Sequence, residues 1–209
     1  MTLSESLLGF TLLAAVVAVT PGLDTVLVLR QALRGGRREA FAAAAGIGLG
    51  ALLWGIGAAA GVAALFLASQ LAYQGLRWAG VAFLTYLAFT YLRAAWRGEV
   101  AARDLGVGGV DTAREAFVRG LLTDLLNPKM AVFYLTVLPL FLPAGCPPAL
   151  AGAMLAAVHV LVAFVWFTVV ILGANAVRGF LASRRGTRIV DGTAGVAMLG
   201  FGVALGLER

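Results

Sequence analysis

Charge is scarce in this sequence, and so are cysteine, histidine and proline. Only 12% of the 209 residues are charged, against about a quarter in soluble domains. Such a low share excludes an ordinary soluble domain. The one cysteine, Cys146, excludes an intrachain disulfide. The one histidine, His159, has no second histidine or cysteine beside it, so neither a metal nor another cofactor is expected. No nucleophile, base and orienting group recur together, which argues against an enzyme. The opening stretch "MTLSESLLGF" lacks the basic region of a cleavable signal peptide, so the first helix is expected to be retained.

What fills the chain is apolar: 61% of residues are hydrophobic, and mean hydropathy is +0.95. With 27 glycines, which let membrane helices approach closely, this composition predicts an all-α polytopic membrane protein. Runs of roughly 20 apolar residues suit a hydrocarbon core about 30 Å thick. They place six spans near 5–29, 40–67, 77–93, 117–142, 149–175 and 189–207. The charge-free run 130–177 divides into two spans at "LPAGCPPA".

The net charge of +6 does not point to nucleic acid, because the basic residues sit in short clusters between apolar runs. Thirteen of the sixteen fall in three alternate loops: Arg30 to Arg38, Arg93 to Arg119, and Arg178 to Arg188. The positive-inside rule makes those loops cytoplasmic and both termini periplasmic or extracellular. "RGGRRE" at 34–39 is a topology anchor that can also touch anionic lipid.

The chain reads as a duplicated half: a three-helix repeat over 1–97, a Gly-rich cytoplasmic linker over 98–113, and a second repeat over 114–209. "AGVAFL" at 79–84 matches "AGVAML" at 194–199, and "TPG" at 20–22 corresponds to "NPK" at 127–129. Halves with an odd number of spans lie antiparallel, the inverted-repeat plan of many secondary transporters.

Thr20-Pro21 and Asn127-Pro128 carry a helix-start signature inside apolar spans. Each proline either kinks its helix or restarts it. A restart exposes N–H groups that suit a carboxylate and carbonyls that suit a cation. Broken helices at matching places in two halves point to a transporter's binding site.

Lys129 lies ten residues beyond Arg119, about 15 Å into the membrane. Asp24 lies six residues before Arg30, about 9 Å from the cytoplasmic end. Helical side chains lean toward their own N-terminus, so in antiparallel spans these two approach each other in depth. They form either a structural salt bridge or opposite ends of a site for a zwitterion. Asp124, five residues from Arg119, falls about 7.5 Å in, at the interface, and is a weaker proton-site candidate. His159 is either a neutral core residue or a proton-coupling group. Trp166, mid-span, is a candidate cavity wall, and "GIGLG" at 46–50 is a helix-packing stripe rather than a nucleotide loop.

"TPGLDTVLVLRQALRGGRREAFAAAAGIGLGALLW" (20–54) and "NPKMAVFYLTVLPLF" (127–141) resemble the two signature regions of the lysine-exporter superfamily, specifically its RhtB-type threonine and homoserine exporters. The resemblance implies a six-helix bacterial inner-membrane exporter of amino acids or related metabolites, driven by the proton motive force. Carried over by position, its site residues are Thr20, Pro21, Gly22, Asp24, Asn127, Pro128 and Lys129, with Asp24, Asp124 and His159 as proton-coupling candidates. The expected partners are a small amino-acid-like molecule, protons and membrane lipid, and the Gly-rich faces would permit a homodimer. Departures occur at Leu23, where the family often has proline, at Leu140, where it has Gln, and at Ala51, where it is often acidic. A membrane assembly partner without a transport cycle and a cation-conducting pore are the alternatives.

Overall fold

The computed structural model of the chain describes residues 2–20, 22–97, 111–143, 145–181 and 183–207. Pro21, most of the expected linker (98–110), Arg103 and Arg209 lie outside the described residues. The described residues are mostly helical, with no strand among them.

Local chemistry sets the helix ends. α1 (Leu3–Val19) opens on a capping box: the Thr2 hydroxyl accepts from the Glu5 amide, and the Glu5 carboxylate accepts from the Thr2 amide. α2 (Leu23–Arg34) follows after a break and closes at Gly35 and Gly36. Gly36 has φ +103°, so the turn into α3 (Arg37–Ala68) needs glycine there. α4 (Gln70–Arg97) follows after the single non-helical residue Ser69. α5 (Ala113–Leu125) opens on a second capping box, Thr112 with Glu115.

α6 (Pro128–Val132) continues as a π segment, Phe133–Val137, and a 3-10 turn, Leu138–Phe141. Pro139 has no N–H and its ring crowds the preceding turn, which loosens the ladder just before it. α7 (Pro148–Leu172) starts with proline in its first turn and ends at Gly173. α8 (Ala174–Leu181) and α9 (Arg184–Leu207) complete the chain. α4 thus runs well past both ends of the expected 77–93 span, because Arg77 and Arg93 do not stop a helix whose neighbours are good helix formers.

Large apolar side chains cover the outside, and several polar groups are buried. Leu8, Leu12, Leu161, Val165 and Val196 are each more than 60% exposed. Asp24, Asp124, Asn127, Thr25 and His159 are buried. Apolar side chains on the outside face lipid at no cost, whereas polar ones are driven inward.

Residues 37–61 of α3 and all of α7 are long and apolar enough to cross a membrane. The pairs α1–α2 and α5–α6 with its extension also qualify when each is taken as one span, bent by 55° and 51°. That gives two to four spans among the described residues.

Small residues set the close crossings. A Cβ on Gly55 would collide with Ala156 and the Gly152 carbonyl, and one on Gly152 with Ala59 and the Gly55 carbonyl. Gly55-xxx-Ala59 and Gly152-xxx-Ala156 therefore interlock reciprocally. The "GIGLG" stripe splits its work: Gly46 abuts the Phe117 carbonyl, Gly48 faces Val160, and Gly50 faces Asp124. Two apolar clusters result, one around Phe10, Tyr134 and Leu155, the other around Val28, Ile47 and Phe167. A mostly apolar cavity that holds Asp24, Asp124, Lys129 and His159 is lined by residues of α1, α2, α3, α5, α6 and α7.

Candidate functional site

The second break is built by Asn127. Its Oδ1 accepts from the Lys129 amide at 3.0 Å, which makes it the N-cap of α6, with Pro128 in the first turn. Its Nδ2 donates to Asp24 Oδ2, also at 3.0 Å. One side chain thus caps one half-helix and holds the carboxylate at the start of the other.

The first break is built differently from the expected one. Thr20 does not cap α2. It is the C-cap of α1, and its hydroxyl donates to the Val16 carbonyl at 2.6 Å. A hydroxyl engaged with the preceding turn is lost to the next helix. Gly22 takes the N-cap position instead, and α2 starts at Leu23.

Lys129 reaches across to this break. Its ammonium donates to the Val17 carbonyl at 3.1 Å and to the Thr20 carbonyl at 3.2 Å. Both are carbonyls left over where α1 ends, and a lysine on them complements the negative end of the helix dipole. Gly22 makes room: a Cβ there would lie 3.2 Å from the ammonium. Lys129 and Asp24 line the same cavity, but the ammonium is bonded to carbonyls rather than paired with the carboxylate.

Asp124, placed by its distance from Arg119 near the membrane interface, sits inside the helix bundle. It is fully buried, and it lines the cavity with Asp24, Lys129 and His159. Its position three residues before Asn127 puts it on the same helix face as the break, the signal that a depth count from Arg119 overlooked. A Cβ on Gly50 would come within 2.6 Å of its carboxylate. Both Asp124 oxygens, and Oδ1 of Asp24, have no hydrogen-bond partner among the described residues. The cavity leaves about 20 Å³ for the centres of water molecules, room for about one water.

His159 is buried and shares a 2.8 Å hydrogen bond with the Tyr134 hydroxyl, its ring edge-on to Phe133. Tyr134 was not foreseen; it falls in the π segment, which turns it toward α7. Trp166 donates to the Thr25 hydroxyl at 3.4 Å and walls a separate apolar crevice with Val19, Thr20 and Phe180. Pro21 lies outside the described residues. Among the described residues no group of three or more His, Cys, Asp or Glu is arranged to hold a metal.

Residues 15–209 match the family model described as LysE type translocator. The chain belongs to the LysE type translocator family. It is thereby a membrane transporter rather than an enzyme. Among the relatives of this translocator, an uncharacterized membrane protein of Pseudomonas aeruginosa is 33% identical over 90% of this chain and 89% of its own length. A second uncharacterized membrane protein, from Bacillus subtilis, is 24% identical over 98% of this chain and 100% of its own. The threonine efflux protein of Escherichia coli K12 is 27% identical over 93% of this chain and 94% of its own. No solved structure matches the translocator.

Proposed function

We propose that this translocator exports a small amino acid or related zwitterionic metabolite across the bacterial inner membrane in exchange for protons. One observation carries the reading: both helix breaks meet in one buried cavity holding Asp24, Asp124 and Lys129. Buried charge of this kind is costly within a membrane and marks a transport path. The relatives named as threonine efflux proteins support a substrate of that class.

The halves 1–97 and 114–209, joined by the cytoplasmic segment 98–113, are read as two inverted three-helix repeats making six spans with both termini periplasmic. The matched capping boxes opening α1 and α5 and the reciprocal crossing of α3 with α7 support this. Thr20, Pro21, Gly22, Asp24, Asn127, Pro128 and Lys129 form the substrate site. Lys129 and the N-terminus of the second half-helix take the carboxylate. Proton transfer runs through Asp24, with Asp124 and His159 as further candidates. Protonation of Asp24 from outside releases the substrate, and its deprotonation inside permits reloading. The faces at Gly57 and Gly61 of α3, with no described residue within 4 Å, leave space for a second copy in a homodimer, and the exposed leucines and valines suit membrane lipid.

Everted vesicles carrying the protein test this reading. Uptake of an amino acid that stops when the proton gradient is collapsed supports it. Uptake that continues unchanged removes the proton coupling.

A further inference from the structure

We propose that Asp124 is a substrate-binding residue that, with Asp24, forms the subsite for the substrate's ammonium group. This rests on the amino-acid export reading above and changes which acceptors serve the amine. The carbonyls freed at the end of α1 are natural acceptors for it, but the Lys129 ammonium occupies those of Val17 and Thr20. One oxygen of Asp24 is occupied by Asn127. What stays open among the described residues are three carboxylate oxygens: Oδ1 of Asp24 and both of Asp124.

All three belong to side chains more than nine-tenths buried that line one cavity. A primary ammonium has three N–H donors and no acceptor. Three donors meet three orphaned acceptors, in a space of about one water, which an ammonium fills and the rest of an amino acid does not. Loading therefore needs the cavity to widen around the Cα and side chain. The carboxylate of Asp124 owes its place to Gly50, since a Cβ there would lie 2.6 Å from Oδ2 and 2.9 Å from Cβ of Asp124. Gly50 is thus a positioning residue for the subsite.

The test uses the full-length chain in proteoliposomes. They are loaded with an equimolar mixture of the standard amino acids and their α-hydroxy-acid counterparts, in which a hydroxyl replaces the amine. Transport is read by mass spectrometry, with and without sodium. The wild type moves at least one amino acid and rejects its hydroxy acid; if it moves no amino acid, the export reading fails and this inference with it. Asp124→Asn lowers the amino-acid preference at least about tenfold, as loss of a charge-assisted hydrogen bond requires. An unchanged preference in Asp124→Asn overturns the inference. So does a wild-type sodium requirement that Asp124→Asn abolishes while the amine preference stays, because the site then holds sodium.

If Asp124→Asn is inactive, thermal stabilisation of the purified variant by the same paired probes decides. Loss of the stabilisation specific to the amino acid supports the subsite, and its retention overturns it. If that variant does not fold, Gly50→Ala, which displaces the carboxylate without removing it, carries the same two outcomes.

Discussion

Asn127 donates its side-chain amide to Asp24 across 103 residues of sequence, and by this bond the two helix breaks are joined. The same side chain caps α6 through its other atom. Replacement by alanine removes a cap, about 1 kcal/mol, and leaves a second buried Asp24 oxygen unpaired, about 1–3 kcal/mol more. Asn127→Ala should therefore melt well below the wild type in detergent. Asn127→Asp retains the cap but brings a carboxylate to Asp24 in place of a donor. It should lose as much transport as Asn127→Ala, and more than a cap-only role allows.

Lys129 makes two charge-assisted hydrogen bonds to the end of α1, each of a kind that contributes about 1.5–3 kcal/mol. Lys129→Met should cut export by at least about tenfold while the protein still inserts. An assembly partner would keep its role in that variant, so measuring export and membrane yield together separates the two readings.

The crossing of α3 and α7 tolerates no added atoms. Gly55→Val should cost about 1–3 kcal/mol or more by overpacking against Gly152 and Ala156. Gly75, on α4, has no described residue within 4 Å of where a Cβ would lie. Gly75→Ala should be neutral or stabilising by up to about 1 kcal/mol, since alanine is the better helix former. Thermal unfolding of the two variants side by side checks the contrast.

The Tyr134–His159 bond is buried on both sides. Tyr134→Phe leaves a ring nitrogen of His159 unsatisfied and should destabilise by about 1–3 kcal/mol. A melting temperature equal to that of the wild type would show the bond to be dispensable.

How far the sequence foretold this arrangement depends on how local each signal is. Asn-Pro inside an apolar run either kinks or restarts a helix, and Asn127 and Pro128 hold the N-cap and first-turn positions of a restart. Thr-Pro looks equivalent, but a threonine can also bond back to the preceding turn, and Thr20 does so. Gly22 takes the N-cap of α2 instead, and its lack of a side chain makes room for Lys129 from the other half of the chain. No local rule carries that information. The burial of Asp124 was hidden for a related reason: counting residues from Arg119 gives depth along an axis, not packing against Gly50 of another helix. The reciprocal contact of Gly55 and Gly152 likewise needs both helices in place before either glycine stands out from the 27 in the chain.

The central claim is that Asp24 and Lys129 serve one transport site rather than only holding the two helix breaks in place. Substituting both at once tests it most directly, because buried charges with a purely structural role can be replaced by neutral groups of similar volume without abolishing function in a protein that still folds. Proteoliposomes containing Asp24→Asn/Lys129→Met should hold a folded, inserted protein that exports no amino acid under a proton gradient. Full wild-type export by that double variant would contradict the account.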